Sequence, residues 1–403
     1  MKKPALYWQI LIAFILAIVF GLFLKNAVPY VEWMGTIFIK ALKMIIIPLI
    51  LSSIISGITQ IGDAKNLGRL GLKTMTYYLT TSIFALLTGL VLVNLFKPGV
   101  GADLGLQKTV DEVALAQQSF GSTLMNIIPE NIIEAMVQNQ MLSIIFFALL
   151  FGFFITRTSE KTNTLLSDFF SAFFEVMMKI TMFIIQFTPL GIFGIVAKVV
   201  AEQENLLELF STMGQYMLVV ILALAVHSMI ILPLLIKLIG KSNPWLHFKA
   251  MREALITAFS TSSSSATLPL TLDAVENRSG VSNKVTSFTL PLGATINMDG
   301  TALYELVAAI FIAQAYGIEL TFGQQIIVVL TGLLASIGAA GIPMAGLVMI
   351  SVVLTAVGLP LEGIGLILSV DRILDMFRTT VNVWSDSCGA VIIAKTEGET
   401  LVI

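Results

Sequence analysis

Six long apolar segments occupy the first 240 residues of the chain, and each is long enough to cross a lipid bilayer. A hydrocarbon core about 30 Å thick is spanned by about 20 helical residues. The segments are 5–26, 33–61, 74–96, 132–156, 166–199 and 211–240. Charged residues make up only 12% of the 403 residues, about half their share in soluble domains. We therefore predict a polytopic, all-α membrane protein.

The composition excludes several other classes of protein. A single cysteine, Cys388, rules out an internal disulfide framework and a multi-cysteine metal site. With only two histidines, a histidine-rich metal site is also excluded, and His227 in the sixth segment is interpreted as an interhelical hydrogen-bonding residue. A formal net charge of −2 leaves no basic field for a nucleic-acid partner.

Charges alternate between the loops that join these segments. Lysine and arginine are abundant between the second and third segments and after the sixth, whereas the loops at 97–131 and 202–208 are acidic. Positively charged loops stay on the cytoplasmic side of a membrane. The pattern predicts a multi-pass protein of the cell (inner) membrane with cytoplasmic N- and C-termini.

The apolar pattern changes after Arg252. Segments 253–280 and 325–360 are each interrupted by small and hydroxyl residues, at 260–267 and 336–343. Each is followed by an apolar segment that contains polar residues. Paired interrupted segments are typical of a transporter binding site near the membrane midplane, and irregular backbone at that depth must be buried in protein or face a water-filled cavity. We predict two helical hairpins that enter from opposite faces; a flexible linker at the serine run is the less favoured alternative.

A stripe of polar residues follows the second hairpin. Asp375, Arg378, Thr379, Asn382 and Asp386 fall at offsets 0, 3, 4, 7 and 11, which line one face of a helix. Charged groups inside a membrane helix are costly and usually face a functional cavity. The alternative is an ion pair between the first aspartate and the arginine that only fixes packing.

A second polar group lies at 295–305. Asn297 and Asp299 are separated by one residue, and Gly300 after them suggests local unwinding that frees backbone carbonyls. Oxygen ligands of this kind are preferred by hard cations such as sodium; a glycine kink with solvated polar groups is the alternative. Hydroxyl groups of the third segment could add ligands or serve only in helix packing: Tyr78, Thr81 and Ser82.

In these motifs the chain resembles the dicarboxylate/amino acid:cation symporters, which include the excitatory amino acid transporters and archaeal aspartate transporters. The resemblance covers nearly the whole chain. It is most specific at residues 297–301, in the serine-rich hairpin, at 335–343 and in the 371–386 stripe.

The resemblance implies an elevator fold of eight transmembrane helices and two re-entrant hairpins, built from inverted repeats and assembled as a homotrimer. Scaffold helices 1–2 and 4–5 would occupy residues 1–61 and 132–199. The transport domain would comprise helix 3 at 74–96 and everything from 211 to 396, with the second hairpin as a gate.

The family pattern also implies a substrate site. Arg378 would bind a side-chain carboxylate and Asp375 the α-amino group. The remaining groups around the substrate would be Thr379, Asn382, Thr301, the hairpin residues Ser263, Ser264 and Ser265, and the backbone at Ile342 and Gly346.

Three cation sites and one proton carrier are implied in the same way. The first site would combine Asp386 with carbonyls at Gly293, Asn297 and Asn382. The second would combine Thr295 with the backbone at Ser336, Ile337 and Ala339. The third would comprise Tyr78, Thr81, Ser82, Asn297 and Asp299. Glu305 resembles the acidic residue that carries a proton in the eukaryotic glutamate transporters.

These features predict a secondary active symporter of L-aspartate or L-glutamate driven by sodium, with protons as a second candidate coupling ion and with no organic cofactor. Three aspartates, Asp299, Asp375 and Asp386, and one arginine, Arg378, sum to −2. An amino-dicarboxylate substrate would bring the site to −3, so about three monovalent cations should accompany it.

Three alternatives remain. Within the same family, the chain could carry C4-dicarboxylates or neutral amino acids, although a dicarboxylate without an ammonium leaves Asp375 unpaired. An intramembrane hydrolase would need a catalytic histidine beside the serine run, and the sequence shows none, so we do not expect an enzyme. An ion channel is less favoured because a buried Asp/Arg pair suits stoichiometric binding.

Overall fold

The computed structural model describes residues 6–63, 68–101, 127–202, 206–337 and 345–403, which are helical without a strand. The first seven helices are α1 (Leu6–Phe23), α2 (Glu32–Asp63), α3 (Arg69–Phe96), α4 (Ile132–Val137), α5 (Met141–Ile155), α6 (Glu160–Ile185) and α7 (Thr188–Glu202). The others are α8 (Leu206–Val226), α9 (Leu232–Leu238), α10 (Pro244–Thr261), α11 (Ser264–Asp273), α12 (Asn283–Ile296), α13 (Asp299–Ala315), α14 (Phe322–Ile337), α15 (Ala345–Ala356) and α16 (Ile364–Thr396).

Several of these helices are long and apolar enough to cross a membrane. The described residues contain four such spans: Glu32–Thr59, Arg69–Phe96, Phe210–Leu238 and Asn283–Ala315. A fifth arises if α6 and α7, which meet at a bend of 51°, count as one span. The chain is therefore an integral membrane protein of the predicted all-α class.

Two of the predicted continuous segments are interrupted in the structure, and a third stays continuous but changes its helical pitch. Segment 132–156 breaks between α4 and α5, where Asn139 adopts a φ of 54°. Segment 166–199 bends between α6 and α7, because Pro189 in the first turn of α7 has no N–H to continue the preceding helix. Segment 211–240 contains a π-helical turn, His227–Ile231, between α8 and α9.

The helices of the first half pack closely around α2. It lies against α5, α6 and α7, and α1 lies along α7. Small residues allow this approach: a Cβ at Gly191 of α7 would overlap Phe38 of α2, and one at Gly194 would overlap the Gly35 backbone. Close contact of small residues is the usual way in which membrane helices associate.

In the second half, α13 and α16 form a buried centre. α16 packs against α8, α10, α12 and α13, and α3 covers α13 from the other side. Every residue of α13 from 299 to 313 is buried, polar ones included. Most polar residues predicted to be functional therefore lie deep inside this helical core.

Two helix pairs flank this centre where the sequence predicted hairpins. α10 and α11 pack against each other and are joined at Ser262, which has a φ of 51°. α14 and α15 also pack against each other. Residues 338–344, the predicted tip of the second hairpin, lie outside the described part of the chain.

Candidate functional site

The helical backbone is broken between α12 and α13, in the middle of the buried centre. Asn297 and Met298 leave the helical region, with φ/ψ of −91°/78° and −110°/58°. The break precedes Gly300, which is itself helical. A Cβ at Gly300 would overlap the carbonyl oxygen of Arg378 on α16. Local unwinding was thus predicted correctly, but the glycine serves the close approach of α13 to α16 rather than the break.

The guanidinium of Arg378 is the centre of a first cluster on α16, which we call the Arg378 cluster. It donates from Nε to Asp375 Oδ1 over 2.9 Å and from Nη1 to Asp371 Oδ1 over 3.1 Å. Tyr304 of α13 donates its hydroxyl to the same oxygen of Asp371 over 2.6 Å. The guanidinium carbon lies 4.5 Å from the centroid of the Tyr304 ring, and Arg378 is only 2% exposed.

Asp371 and Tyr304 were missing from the predicted site. A signal existed for Asp371, which lies four residues before Asp375 and seven before Arg378, on the same helical face. Arg372 adds a second guanidinium 3.6 Å from Asp375. Two carboxylates and two guanidinium groups therefore cancel one another within the cluster.

A second cluster surrounds Asp299 at the start of α13. Ser82 of α3 donates to its Oδ1 over 2.7 Å, and Ser385 of α16 donates to its Oδ2 over 2.6 Å. His227, in the π turn between α8 and α9, places Nε2 3.1 Å from Oδ2. The interhelical hydrogen bond predicted for His227 is confirmed, and its partner is a candidate cation ligand.

Asn297 connects Asp299 to Asp386 within the same cluster, which we call the Asp299–Asp386 cluster. Its amide donates to Asp386 Oδ1 over 2.9 Å and to the Ser385 hydroxyl over 3.1 Å. Its carbonyl oxygen accepts a hydrogen bond of 3.3 Å from Thr81. Four helix segments thus contribute side chains: α3, the turn after α8, the α12–α13 break and α16.

Gly293 and Tyr78 close one side of this cluster. A Cβ at Gly293 would overlap the carboxylate of Asp386 and the hydroxyl of Tyr78, so glycine lets α12 approach α16. The Tyr78 hydroxyl donates to the carbonyl of Thr289 over 2.5 Å. Tyr78, Thr81 and Ser82 are all buried. Thr81 and Ser82 contact the predicted cation ligands Asn297 and Asp299.

Asn382 lies between the two clusters. Its side-chain oxygen accepts the Gly300 N–H over 2.8 Å, and its amide donates to the Thr301 hydroxyl over 3.0 Å. This pair of bonds satisfies backbone at the first turn of α13 and fixes α13 against α16. Thr379, also buried, lies one residue from Arg378 on α16.

The helix pairs supply part of the predicted substrate site. Ser263 caps α11 by accepting the Ala266 N–H over 3.2 Å, and Ser264 is buried beside it, whereas Ser265 is exposed. Gly346 of α15 lies directly against the guanidinium of Arg378, since a Cβ there would overlap it. Ile342 lies outside the described residues.

The predicted second cation site is not assembled by the described residues. Thr295 is exposed and donates its hydroxyl to Leu292 of its own helix over 3.0 Å. Ser336 likewise donates to Leu333 over 2.9 Å. Ile337 is the last residue of α14, and Ala339 lies outside the described residues.

Glu305 lies one residue after Tyr304 in α13 and is fully buried. Neither of its carboxyl oxygens has a hydrogen-bond partner among the described residues. A buried carboxyl group without a hydrogen-bond partner is costly, which sets Glu305 apart from the paired carboxylates of the two clusters.

Comparison with known proteins identifies the family of this chain. Residues 6–396 match the model of the sodium:dicarboxylate symporter family. The chain belongs to that family. It is 37% identical to the proton/glutamate-aspartate symporter of Escherichia coli, covering 98% of this chain and 93% of the relative. It is 38% identical to the proton/sodium-glutamate symport protein of Geobacillus stearothermophilus, covering 99% and 96%. Human excitatory amino acid transporter 3 is 39% identical over 91% of this chain and 79% of its own length.

Proposed function

We propose that this family member is a secondary active symporter of acidic amino acids, L-aspartate or L-glutamate, with sodium as the coupling ion. The names of the relatives from Escherichia coli and Geobacillus stearothermophilus support this assignment. The observation that carries it is the buried Arg378 cluster beside the Asp299–Asp386 cluster on one helix.

The Arg378 cluster suits a zwitterionic dicarboxylate. The planar fork of Arg378 matches a carboxylate in bidentate geometry, and Asp375 would accept the α-ammonium. Asp375 and the Arg378 guanidinium are hydrogen-bonded to each other in this structure. On binding, each of them would exchange this partner for a charged group of the substrate. Further contacts are assigned to Thr379, Asn382, Thr301, Ser263, Ser264, Ser265, Ile342 and Gly346.

The Asp299–Asp386 cluster suits sodium. Its ligand groups are carboxylate, amide, hydroxyl and carbonyl oxygens, which hard cations prefer. Asp299 and Asp386 have no lysine or arginine within ion-pair distance among the described residues. Since the Arg378 cluster is neutral, these two carboxylates leave the site at −2, and substrate would bring it to −3.

Transport itself would follow the elevator mechanism. α1, α2 and α4–α7 would form the scaffold of a homotrimer, and α3 with α8–α16 the moving transport domain. This arrangement corresponds to eight membrane helices and two re-entrant hairpins, α10–α11 and α14–α15, with both termini at the cytoplasmic side of the cell membrane. Support comes from the extensive packing of α2 against α5–α7 and of α16 against α8, α10, α12 and α13.

The competing substrates differ in what they leave unpaired. A C4-dicarboxylate has no ammonium for Asp375, and a neutral amino acid has no second carboxylate for Arg378. The proposed zwitterionic substrate pairs both groups, which is the arrangement with the smallest cost of buried unpaired charge.

Uptake into proteoliposomes tests the proposal directly. Labelled aspartate, malate and alanine would be compared with an inward sodium gradient, with equal sodium on both sides, and with sodium replaced by choline. We expect concentrative aspartate uptake only with the gradient. Malate or alanine uptake exceeding that of aspartate would contradict the substrate, and aspartate uptake that is equal in choline would contradict sodium coupling.

A further inference from the structure

A cavity of about 580 Å³ lies on the side of α16 that faces away from the substrate and cation groups. Its walls come from the π turn and α9, from the first three turns of α10, and from the middle of α16. The aromatic and aliphatic members include Met229, Trp245, Phe248, Leu255, Val381 and Trp384. The lining is mostly apolar, so the cavity fits a hydrocarbon ligand better than a solute.

The back wall is made by Trp384, which is only 5% exposed. Its indole N–H donates to the carbonyl of Ser228 over 3.0 Å. In a π turn the carbonyl of Ser228 would accept from the N–H of residue 233, but that residue is a proline and has no N–H. The carbonyl therefore needs a donor from outside its own helix. The polar groups of the wall are thereby satisfied, which leaves an apolar surface.

The cavity is open at the protein surface. At its rim Met229 is 75% exposed and Trp245 62% exposed. The α10 wall runs from Pro244 to Leu255, eleven residue steps and about 16 Å, which is close to the hydrocarbon depth of one leaflet, about 15 Å. A straight acyl chain that enters at the Pro244 end would therefore stay within one leaflet.

Three lysines lie close in sequence to the residues that line that same end. Lys249 places its ammonium 5.8 Å from the centroid of the Trp245 ring, and Lys241 lies two residues before Asn243 of the lining. Lys237 lies one helical turn after the lining residue Pro233. These three lysines are exposed, and none forms an ion pair with a carboxylate of the described residues. An anionic group at the cavity entrance would complement all three.

We propose that this cavity binds one acyl chain of an anionic phospholipid, whose phosphate lies between Lys241 and Lys249. The chain would lie along Trp245 and Phe248 and end against Leu255 and Trp384. Because Thr380 and Trp384 alternate along α16 with Asn382 and Asp386, the lipid would contact the rear of the helix that carries the transport site. The proposal does not depend on which substrate is carried.

Fluorescence of Trp384 tests it. Trp8, Trp33 and Trp245 are replaced by phenylalanine, which leaves Trp384 as the only tryptophan of the four. The protein is reconstituted into phosphatidylcholine vesicles that contain an increasing mole fraction of a lipid with bromine on its acyl chain. This brominated lipid is phosphatidylglycerol in one series and phosphatidylcholine in the other. Bromine quenches on contact, and bulk lipid does not reach a side chain that is 5% exposed.

We expect saturable quenching by both lipids. Brominated phosphatidylglycerol should reach half of the maximal quenching at a mole fraction about tenfold lower than brominated phosphatidylcholine does, since each lysine contributes several-fold to anionic-lipid binding. Lys241→Ala with Lys249→Ala should merge the two curves, whereas Lys284→Ala, an exposed lysine in the first turn of α12, should leave them apart. Thr380→Phe, which fills the cavity, should remove the quenching.

Two results would overturn the proposal. If neither brominated lipid quenches Trp384, no acyl chain enters the cavity. If both lipids quench equally in the parent and in the Lys241/Lys249 variant, the occupant is not selected by its anionic headgroup. The lysine variant changes only exposed side chains, so the test stands even if Thr380→Phe fails to fold.

Discussion

The Arg378 cluster and the Asp299–Asp386 cluster lie one after the other on α16, but their charges are balanced in different ways. In the first, Asp371 and Asp375 are paired with Arg378 at 3.1 and 2.9 Å, and Arg372 lies close by. In the second, two buried carboxylates are met by neutral hydroxyl and amide groups and by one histidine.

Under the proposed function, the difference separates two modes of binding. The neutral cluster would accept a zwitterionic substrate by exchanging its internal ion pairs for ion pairs with the substrate. The cluster with surplus negative charge would take up cations, because burying unpaired carboxylates is expensive. Asn382 joins the two, so ligands at either cluster act on the same turn of α13.

The largest expected effect is at the neutral cluster. Arg378→Ala should weaken aspartate binding by at least about 100-fold, because the substrate carboxylate would be buried without its partner. Arg372→Ala, at a partly exposed neighbour, is the matched control and should have a much smaller effect. Isothermal titration with aspartate measures both. Unchanged aspartate affinity in Arg378→Ala would refute the role of this cluster in substrate binding.

The next effect is at the charged cluster. Asp299→Asn and Asp386→Asn should each raise the sodium concentration needed for half-maximal aspartate binding by about tenfold or more, since cation and substrate binding are linked. Asp371→Asn removes a carboxylate from the other cluster and should keep the wild-type sodium dependence. The comparison fails if all three variants respond to sodium alike.

Glu305 belongs to neither cluster and tests whether a proton accompanies the sodium ions. Glu305→Gln preserves the shape of the side chain and should remove substrate-dependent proton influx while sodium-driven uptake continues. A pH dye trapped inside proteoliposomes reports the flux. Equal acidification in wild type and variant would exclude a proton role for Glu305.

The smallest effect is expected where ion pairs are solvated. Glu397, just after α16, accepts hydrogen bonds from Arg69 at 2.9 Å and Lys73 at 2.6 Å, and these hold its pKa to about 2. A lowered pKa stabilises the fold above the ordinary pKa near 4.5, and this contribution is lost as the pH falls towards 2.

Glu397→Gln should therefore lower the melting temperature at pH 7 by only about 1 °C, since exposed pairs contribute little. The difference from wild type should shrink as the pH is lowered from about 5 to about 3. Thermal unfolding in detergent measures it. If Glu397→Gln lowered the melting temperature at neutral pH as much as a substitution in a buried cluster does, solvent exposure would not explain the difference between surface and buried ion pairs.

Some features of the site could be predicted from local spacing and others could not. The offsets of Asp375, Arg378 and Asn382 place them on one helical face whatever the surrounding fold. The partners of Asp299 come from residues 72 to 217 positions away, His227, Ser385 and Ser82, and no local pattern indicates such pairings. Gly300 shows the same limit, because its close contact with Arg378 depends on how two helices meet.

The sequence by itself determined that the chain is an α-helical membrane protein with interrupted segments and buried polar residues in its second half. This follows from the cost of placing charge and unpaired backbone in lipid, which is a property of residue order alone. Only the tertiary structure decided which charges compensate each other. The packing of α3, α13 and α16 pairs Asp371 with Arg378 and leaves Asp299 and Asp386 without a lysine or arginine partner among the described residues, because electrostatic balance depends on distances of a few ångströms between helices far apart in sequence.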